Sequence, residues 1–275
     1  MKVGLKTRFS DFFEIIKLNP DFVEFHFSDI DPDYNFIAKE KYSFPCIIHL
    51  PEIWKGRLID ISSVKNENQV LPINESRDIL QTIITKSEKF FNYFNNQENI
   101  FILHPGGMSF DKDYPENNKH RMEVLIESLS QIQTNNSEIL VENLPPYPWY
   151  FGGQWNSNIF MDSKEIESFC RTTGRKICFD TSHSKLYCNL EKKDFLKELM
   201  PLIKYIKHIH IGDARGVDEE GIQIDEGEIN FKEFFKVMKD YTGTIVNEIW
   251  MGYTNDFLGF KIASQKIKKY LSQNF

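Results

Sequence analysis

The sequence predicts a parallel (β/α)8 barrel, and three observations carry that prediction. Eight short apolar segments alternate with longer stretches of helical periodicity along 275 residues. Most of these segments are apolar throughout, as strands covered on both faces are. Acids and imidazoles recur at or just past their C-terminal ends: His49, His104, Glu142, Asp180, His183, His210, Asp213 and Glu248. The periodicity alone also permits a doubly wound open sheet. A closed barrel gathers its strand ends around one pocket, whereas an open sheet spreads them along an edge, so the polar residues decide for the barrel.

The elements follow in order. Residues 3–5 form a short strand, and Ser10 caps a helix carrying Phe12, Phe13, Ile15 and Ile16. DFVEFHF (21–27) alternates, with Glu24 and His26 on one face and Val23, Phe25 and Phe27 on the other. A brief helix over 36–41 leads to PCIIHLP (45–51), a strand ending in His49. Residues 52–75 read as an irregular loop before a long helix that starts near Ser76. IFILHPGG (100–107) is the fourth strand, followed by a helix over 119–133 and by EILVENLPP (138–146), the fifth. The aromatic loop PYPWYFGGQW precedes a helix over 163–173 that Gly174 stops. KICFDTSH (176–183) is the sixth strand and its end, and a helix follows over 193–200. YIKHIHIG (205–212), a glycine-punctuated acidic loop, a helix over 231–240, TIVNEIW (244–250) and a helix over 260–271 complete the pattern.

The formal charge of −7, from 33 basic and 40 acidic residues, disfavours non-specific binding to a polyanion. No apolar run approaches the ~20 residues of a membrane span, and MKVGLKTRF lacks the apolar core of a secretory signal. Cys46, Cys170, Cys178 and Cys188 form no CxxC pair and read as reduced core residues. These features predict one cytoplasmic domain spanning 1–275.

Asp180 ends an apolar strand, and bare burial of its carboxylate would cost several kcal/mol. Taken singly, each polar strand residue has a structural explanation. His26 and Glu24 alternate onto a face that is simply polar, and His208 reads as a supporting residue. Glu142, Asp180, His210 and Glu248 together do not, because three converging carboxylates repel in low dielectric. A divalent cation holds them ionised, and one imidazole with three carboxylates suits Mn, Mg or Co and is within reach of Zn. His49 and His104, on neighbouring strands, add a nitrogen-rich second position that shares Glu142 and suits zinc. Trp149, Tyr150 and Trp155 are placed either to stack on a bound ligand as a lid or to plug the barrel mouth.

HPGG (104–107), ENLPP (142–146), CFDTSH (178–183), HIGDARG (210–216) and the late Glu in NEIW (247–250) resemble the xylose-isomerase-like TIM-barrel superfamily. That superfamily includes sugar and sugar phosphate isomerases and epimerases, and the family-2 AP endonucleases. The resemblance implies Mn2+ or Zn2+, one ion or two, held by Glu142, Asp180, His210 and Glu248. It makes Glu142 and Glu248 the acid/base pair and brings His183 and Arg215 to a small sugar or sugar phosphate. The endonuclease branch matches equally at His49, His104, Glu142, Asp180, His183, His210 and Glu248. It departs where that branch carries an Asp-x-His pair for a third zinc: those positions hold Glu219 and Gly221, and glycine has no ligating side chain. Acidic residues around them repel a DNA backbone. A lyase or a non-catalytic carbohydrate-binding relative is a third reading. PWYFGGQW, GIQIDEGEI and EIW with a later GF are similar to isomerase-like domains found with sialic-acid-type synthases.

Overall fold

A computed structural model describes residues 1–29, 40–65, 67–111 and 116–273. The expected helix over 36–41 lies mostly outside those residues. Eight parallel strands close into a barrel in chain order: Lys2–Thr7, Val23–His26, Cys46–His49, Asn99–Leu103, Ser137–Glu142, Ile177–Asp180, Ile206–Ile211 and Thr244–Asn247. The first strand pairs with both the second and the eighth, which closes the ring. The open-sheet alternative is thereby excluded.

Period-two alternation sorts the side chains. Val23 and Phe25 face outward into the large core between strands and helices, together with Leu5, Phe101, Val141, Phe179 and Ile245. Phe22, Ile47, Ile102, Leu140, Cys178 and Val246 fill the barrel interior. Glu24 and His208, on the inward face, are fully buried above this layer. All four cysteines are free and buried.

Helices α1 (Phe12–Ile15), α2 (Ile73–Phe90), α3 (Glu116–Gln131), α4 (Ser163–Thr173), α5 (Thr181–Glu191), α6 (Phe195–Leu199), α7 (Phe231–Val237) and α8 (Thr254–Leu271) cover the barrel. Ser10 does not cap α1: Asp11 occupies that position, and the Ser10 hydroxyl donates to the Asp11 carboxylate instead. Helix α2 begins at Ile73, so Ser76 lies inside it, and its hydroxyl accepts the Asp60 N–H. Helix α5 starts directly at the strand end, where Asp180 accepts the His183 N–H as its cap. No described helix is long and apolar enough to cross a membrane.

Helix α4 follows its expected bounds. Asp162 accepts N–H groups from Lys164 and Glu165, and Gly174 closes the helix at φ 72°. Burial pushes the nearby Glu165 carboxyl up to about 7, against the stabilising N–H that Phe160 donates to it. An acid raised in the fold binds more protons there than in the unfolded chain, so stability falls as pH rises between the two values. Unfolding titrations from about pH 5 to about pH 8 should therefore show wild type losing stability relative to Glu165→Gln. A difference that does not change with pH would contradict this.

The turn after the fourth strand depends on glycine. Gly106 adopts φ +78°, and a Cβ there would lie 2.2 Å from Asp60 Oδ1. The buried Asp60 cannot yield, because its carboxylate accepts N–H groups from Ser62 and Gly107, each at 2.8 Å. Gly106→Ala should cost about 2–4 kcal/mol in a urea melt. This clamp fixes the chain just past His104.

Candidate metal centre and active site

Every barrel strand sends a titratable side chain into the C-terminal mouth. In order they are Lys6, His26, His49, His104, Glu142, Asp180, His210 and Glu248. The ring has a compact centre: Glu142, Asp180, His210 and Glu248 each offer a ligand atom within 4.8 Å of the others. His210 Nδ1 lies 3.0 Å from Glu142 Oε1 and 2.7 Å from Glu248 Oε2. The eighth strand sets Glu248 in place through its N–H, which donates to the Ile211 carbonyl at 2.9 Å. Asn143 fixes Asp180, because its side-chain amide exchanges two hydrogen bonds with the Asp180 backbone.

Charge compensation in this centre is uneven. Burial would raise the Glu142 carboxyl, yet His210 and His104 hold it well below the usual range. For Glu248 the same burial is outweighed by Lys6 and then His210. Asp180 goes the other way: burial, reinforced by Glu248 and Glu142, pushes it up to about 7 despite His183. Asp180 Oδ2 is buried without a hydrogen-bond partner among the described residues. An orphaned oxygen on a carboxylate that burial denies its charge, beside Glu142 and Glu248, is what a cation would satisfy. The donor set therefore fits a divalent metal, with oxygen-rich chemistry open to Mn2+, Mg2+ or Zn2+.

Behind the centre lies an inner layer. Glu24 Oε2 sits 2.7 Å from His208 Nε2 and 3.1 Å from His210 Nε2. It thus orients His210 so that Nδ1 faces the carboxylates, the usual supporting arrangement for a metal-binding imidazole. Lys6 Nζ lies 2.5 Å from Glu248 Oε1 and 3.7 Å from Glu24 Oε1. Glu24 is therefore more than a polar face, because it joins His208, His210 and Lys6 in one buried network.

The second expected position is more spread out. His49 Nε2 and His104 Nε2 lie 3.2 and 3.3 Å from Glu142 Oε2. His104 also approaches Glu52 Oε1 at 3.8 Å. His183 donates Nδ1–H to the Asn143 carbonyl at 2.8 Å and turns Nε2 toward Glu220 at 3.4 Å. Burial would lower the His183 pKa, but Asp180 and Glu220 raise it well above the ordinary value.

Three expected residues stand elsewhere. Asp213 does not join the ring, because its carboxylate accepts N–H groups from Ala214, Gly227 and Ile229 and fixes its own loop. Arg215 points away, toward Glu219 Oε2 at 3.2 Å and the Glu226 carbonyl at 2.6 Å. Trp155 is only 1 % exposed and packs edge-on against Phe110 and Phe151, whereas Trp149 is 66 % exposed. Trp155 therefore supports the aromatic loop from within. Gly221 and the exposed Glu219 occupy the positions where a third-metal pair was in question.

Sequence reasoning missed Lys6 and Glu52. Lys6 had a signal: it is in phase with Gly4, whose missing side chain makes room for the inward Phe22 ring. Glu52 had none, since it lies in a stretch read as irregular that folds into a hairpin of Ile53–Trp54 and Arg57–Leu58.

Comparison with known proteins agrees with this architecture. Two uncharacterized proteins of Methanocaldococcus jannaschii are similar in sequence. One is 27% identical over 254 residues, covering 87% of this chain and 88% of its own length. The other is 26% identical over 219 residues, covering 77% of this chain and 67% of its own. Among solved structures, a D-tagatose 3-epimerase-like protein superposes with TM-score 0.70 at 20% identity, covering 98% of this chain and 97% of its own. The IOLI protein with a binding zinc atom gives 0.71 at 13% identity, covering 100% and 99%. Endonuclease IV from Thermus thermophilus gives 0.61 at 14% identity, covering 98% and 100%. At these identities the likeness concerns the fold. The family model for the xylose isomerase-like TIM barrel matches residues 91–270, from α3 and its preceding strand through α8, and the chain belongs to that family.

Proposed function

We propose that this protein is a divalent-metal-dependent isomerase or epimerase of a sugar or sugar phosphate. The convergence of Glu142, Asp180, His210 and Glu248 within 4.8 Å is the observation that carries the reading. Those four residues would hold the ion, which supplies Lewis acidity toward a hydroxy-carbonyl substrate. The chain's own groups move the proton. The Glu248 side chain is 34 % exposed and faces the pocket, so it is placed to take the proton beside the carbonyl. Lys6 on its other oxygen keeps it ionised and fixes its rotamer. Glu142, 1 % exposed and flanked by His210, His49 and His104, returns from the interior side a proton that the His104 imidazole 3.3 Å away hands to it, while the proton on the one-third exposed Glu248 leaves to solvent. His183 and Lys6 are the donors beside the ene-diolate charge that forms between the two transfers. Trp149 and Tyr150 share a hairpin that the Tyr150 hydroxyl ties to Glu52, and they would cover the sugar.

The test is incubation of the metal-loaded protein with a panel of ketoses and ketose phosphates in D2O. Deuterium incorporation next to the carbonyl, with an isomeric product, supports the reading. Cleavage of abasic-site DNA with three bound zinc ions would replace it with the endonuclease reading. Consumption of a sugar without an isomeric product would replace it with a lyase.

A further inference from the structure

We propose that His26, His49 and Glu52 form a divalent-metal site of their own at the edge of the mouth, distinct from the four-residue centre. The three offer one ligand atom each within 4.8 Å of one another. The site shares only His49 with the nitrogen-rich position expected from the sequence, and it takes its carboxylate from Glu52, next to the hairpin of Ile53–Trp54 and Arg57–Leu58, in place of Glu142.

The second and third strands build it. Their register sets His26 directly beside His49, so both imidazoles enter the mouth from the same level. The rings stack with centroids 4.7 Å apart. His49 Nδ1 lies 2.9 Å from the Leu50 carbonyl, which can only accept. Nδ1 therefore carries a proton, and Nε2, which also lies 3.2 Å from Glu142 Oε2, is the nitrogen the ring offers to the pocket. Glu52, three residues on, brings the carboxylate. Its Oε1 stands 3.9 Å from His26 Nε2. That gap is too long for a hydrogen bond, but it suits neighbouring ligands on one ion with bonds of about 2.0–2.2 Å.

Two imidazoles and one carboxylate are the donor set of zinc sites that keep an open position, and of ferrous sites with open coordination. The ligand proposed here is such a transition-metal dication. Glu52 Oε2 accepts the Tyr150 hydroxyl at 2.5 Å, so the carboxylate is oriented by the aromatic hairpin. Loading this site would tie the hairpin that carries Trp149 to the barrel rim.

The experiment strips the full-length protein of metal, titrates it with Zn2+ by calorimetry and counts bound ions after dialysis. Two ions per chain are expected for wild type, one for Glu52→Gln and one for His26→Gln. Asp180→Asn should also keep one ion, now in the His26 site. Tyr150→Phe should keep both while weakening the rim ion about 10-fold or more. Thermal melts matching wild type show that the variants fold. Two ions in both Glu52→Gln and His26→Gln, or a single wild-type ion that Asp180→Asn removes, would overturn the proposal. Loss of the four-residue centre would appear differently, as a lone wild-type ion that Glu52→Gln removes and Asp180→Asn does not.

Discussion

Glu142→Gln should abolish turnover, lowering kcat by about a thousandfold or more, and should let the bound ion escape on dialysis. Both effects come from one side chain with two oxygens in use. Oε1 lies 3.0 Å from His210 Nδ1, and Oε2 lies 3.2 Å from His49 Nε2. The amide keeps the shape but removes the charge that three imidazoles share and that a metal ion would bind, and it can neither accept nor return a proton. Deuterium exchange on an accepted sugar, with elemental analysis of the dialysed protein, measures both. Normal activity in this variant would defeat the proton-transfer role of Glu142.

Glu24→Leu should unfold far more readily than wild type, by about 3–5 kcal/mol in a urea titration. Glu24 is fully buried and meets His208, His210 and Lys6 from below the centre. Burial would raise its pKa, yet His210, His208 and Lys6 hold it well below the usual carboxylate range. Removing it takes from Lys6, which is 12 % exposed, one of the two carboxylates it meets among the described residues, and leaves the Nε2 atoms of His208 and His210 without the acceptor they share. Glu24→Gln keeps an acceptor, so its loss should be smaller. A change below about 1 kcal/mol for Glu24→Leu would show that the inner layer is not a coupled network.

The barrel was legible because its signal repeats. Continuous apolar strands ending in polar residues recur at His49, Glu142 and Asp180, and each sits where the pattern placed it. Helix α5 was hidden because SHSKLYCNLE follows the strand with no intervening loop and carries no strong apolar stripe. The Asp180 carboxylate that looked like a site residue is also that helix's cap, so one side chain served two signals. Asp213 misled for the opposite reason. Its place after a strand matched the ring pattern, but three loop N–H groups satisfy it locally. Glu24 was undervalued because its partners, His208 and His210, lie 184 and 186 residues away in sequence. Alternation gives the face a residue occupies, and only barrel closure shows which strand it meets.

The most direct measurement is anomalous diffraction from crystals soaked in Mn2+ or Zn2+. A peak should appear between Glu142, Asp180, His210 and Glu248, within about 2.0–2.3 Å of His210 Nδ1 and of one oxygen from each carboxylate. Density showing those four side chains swung apart, with no scatterer between them, would contradict it.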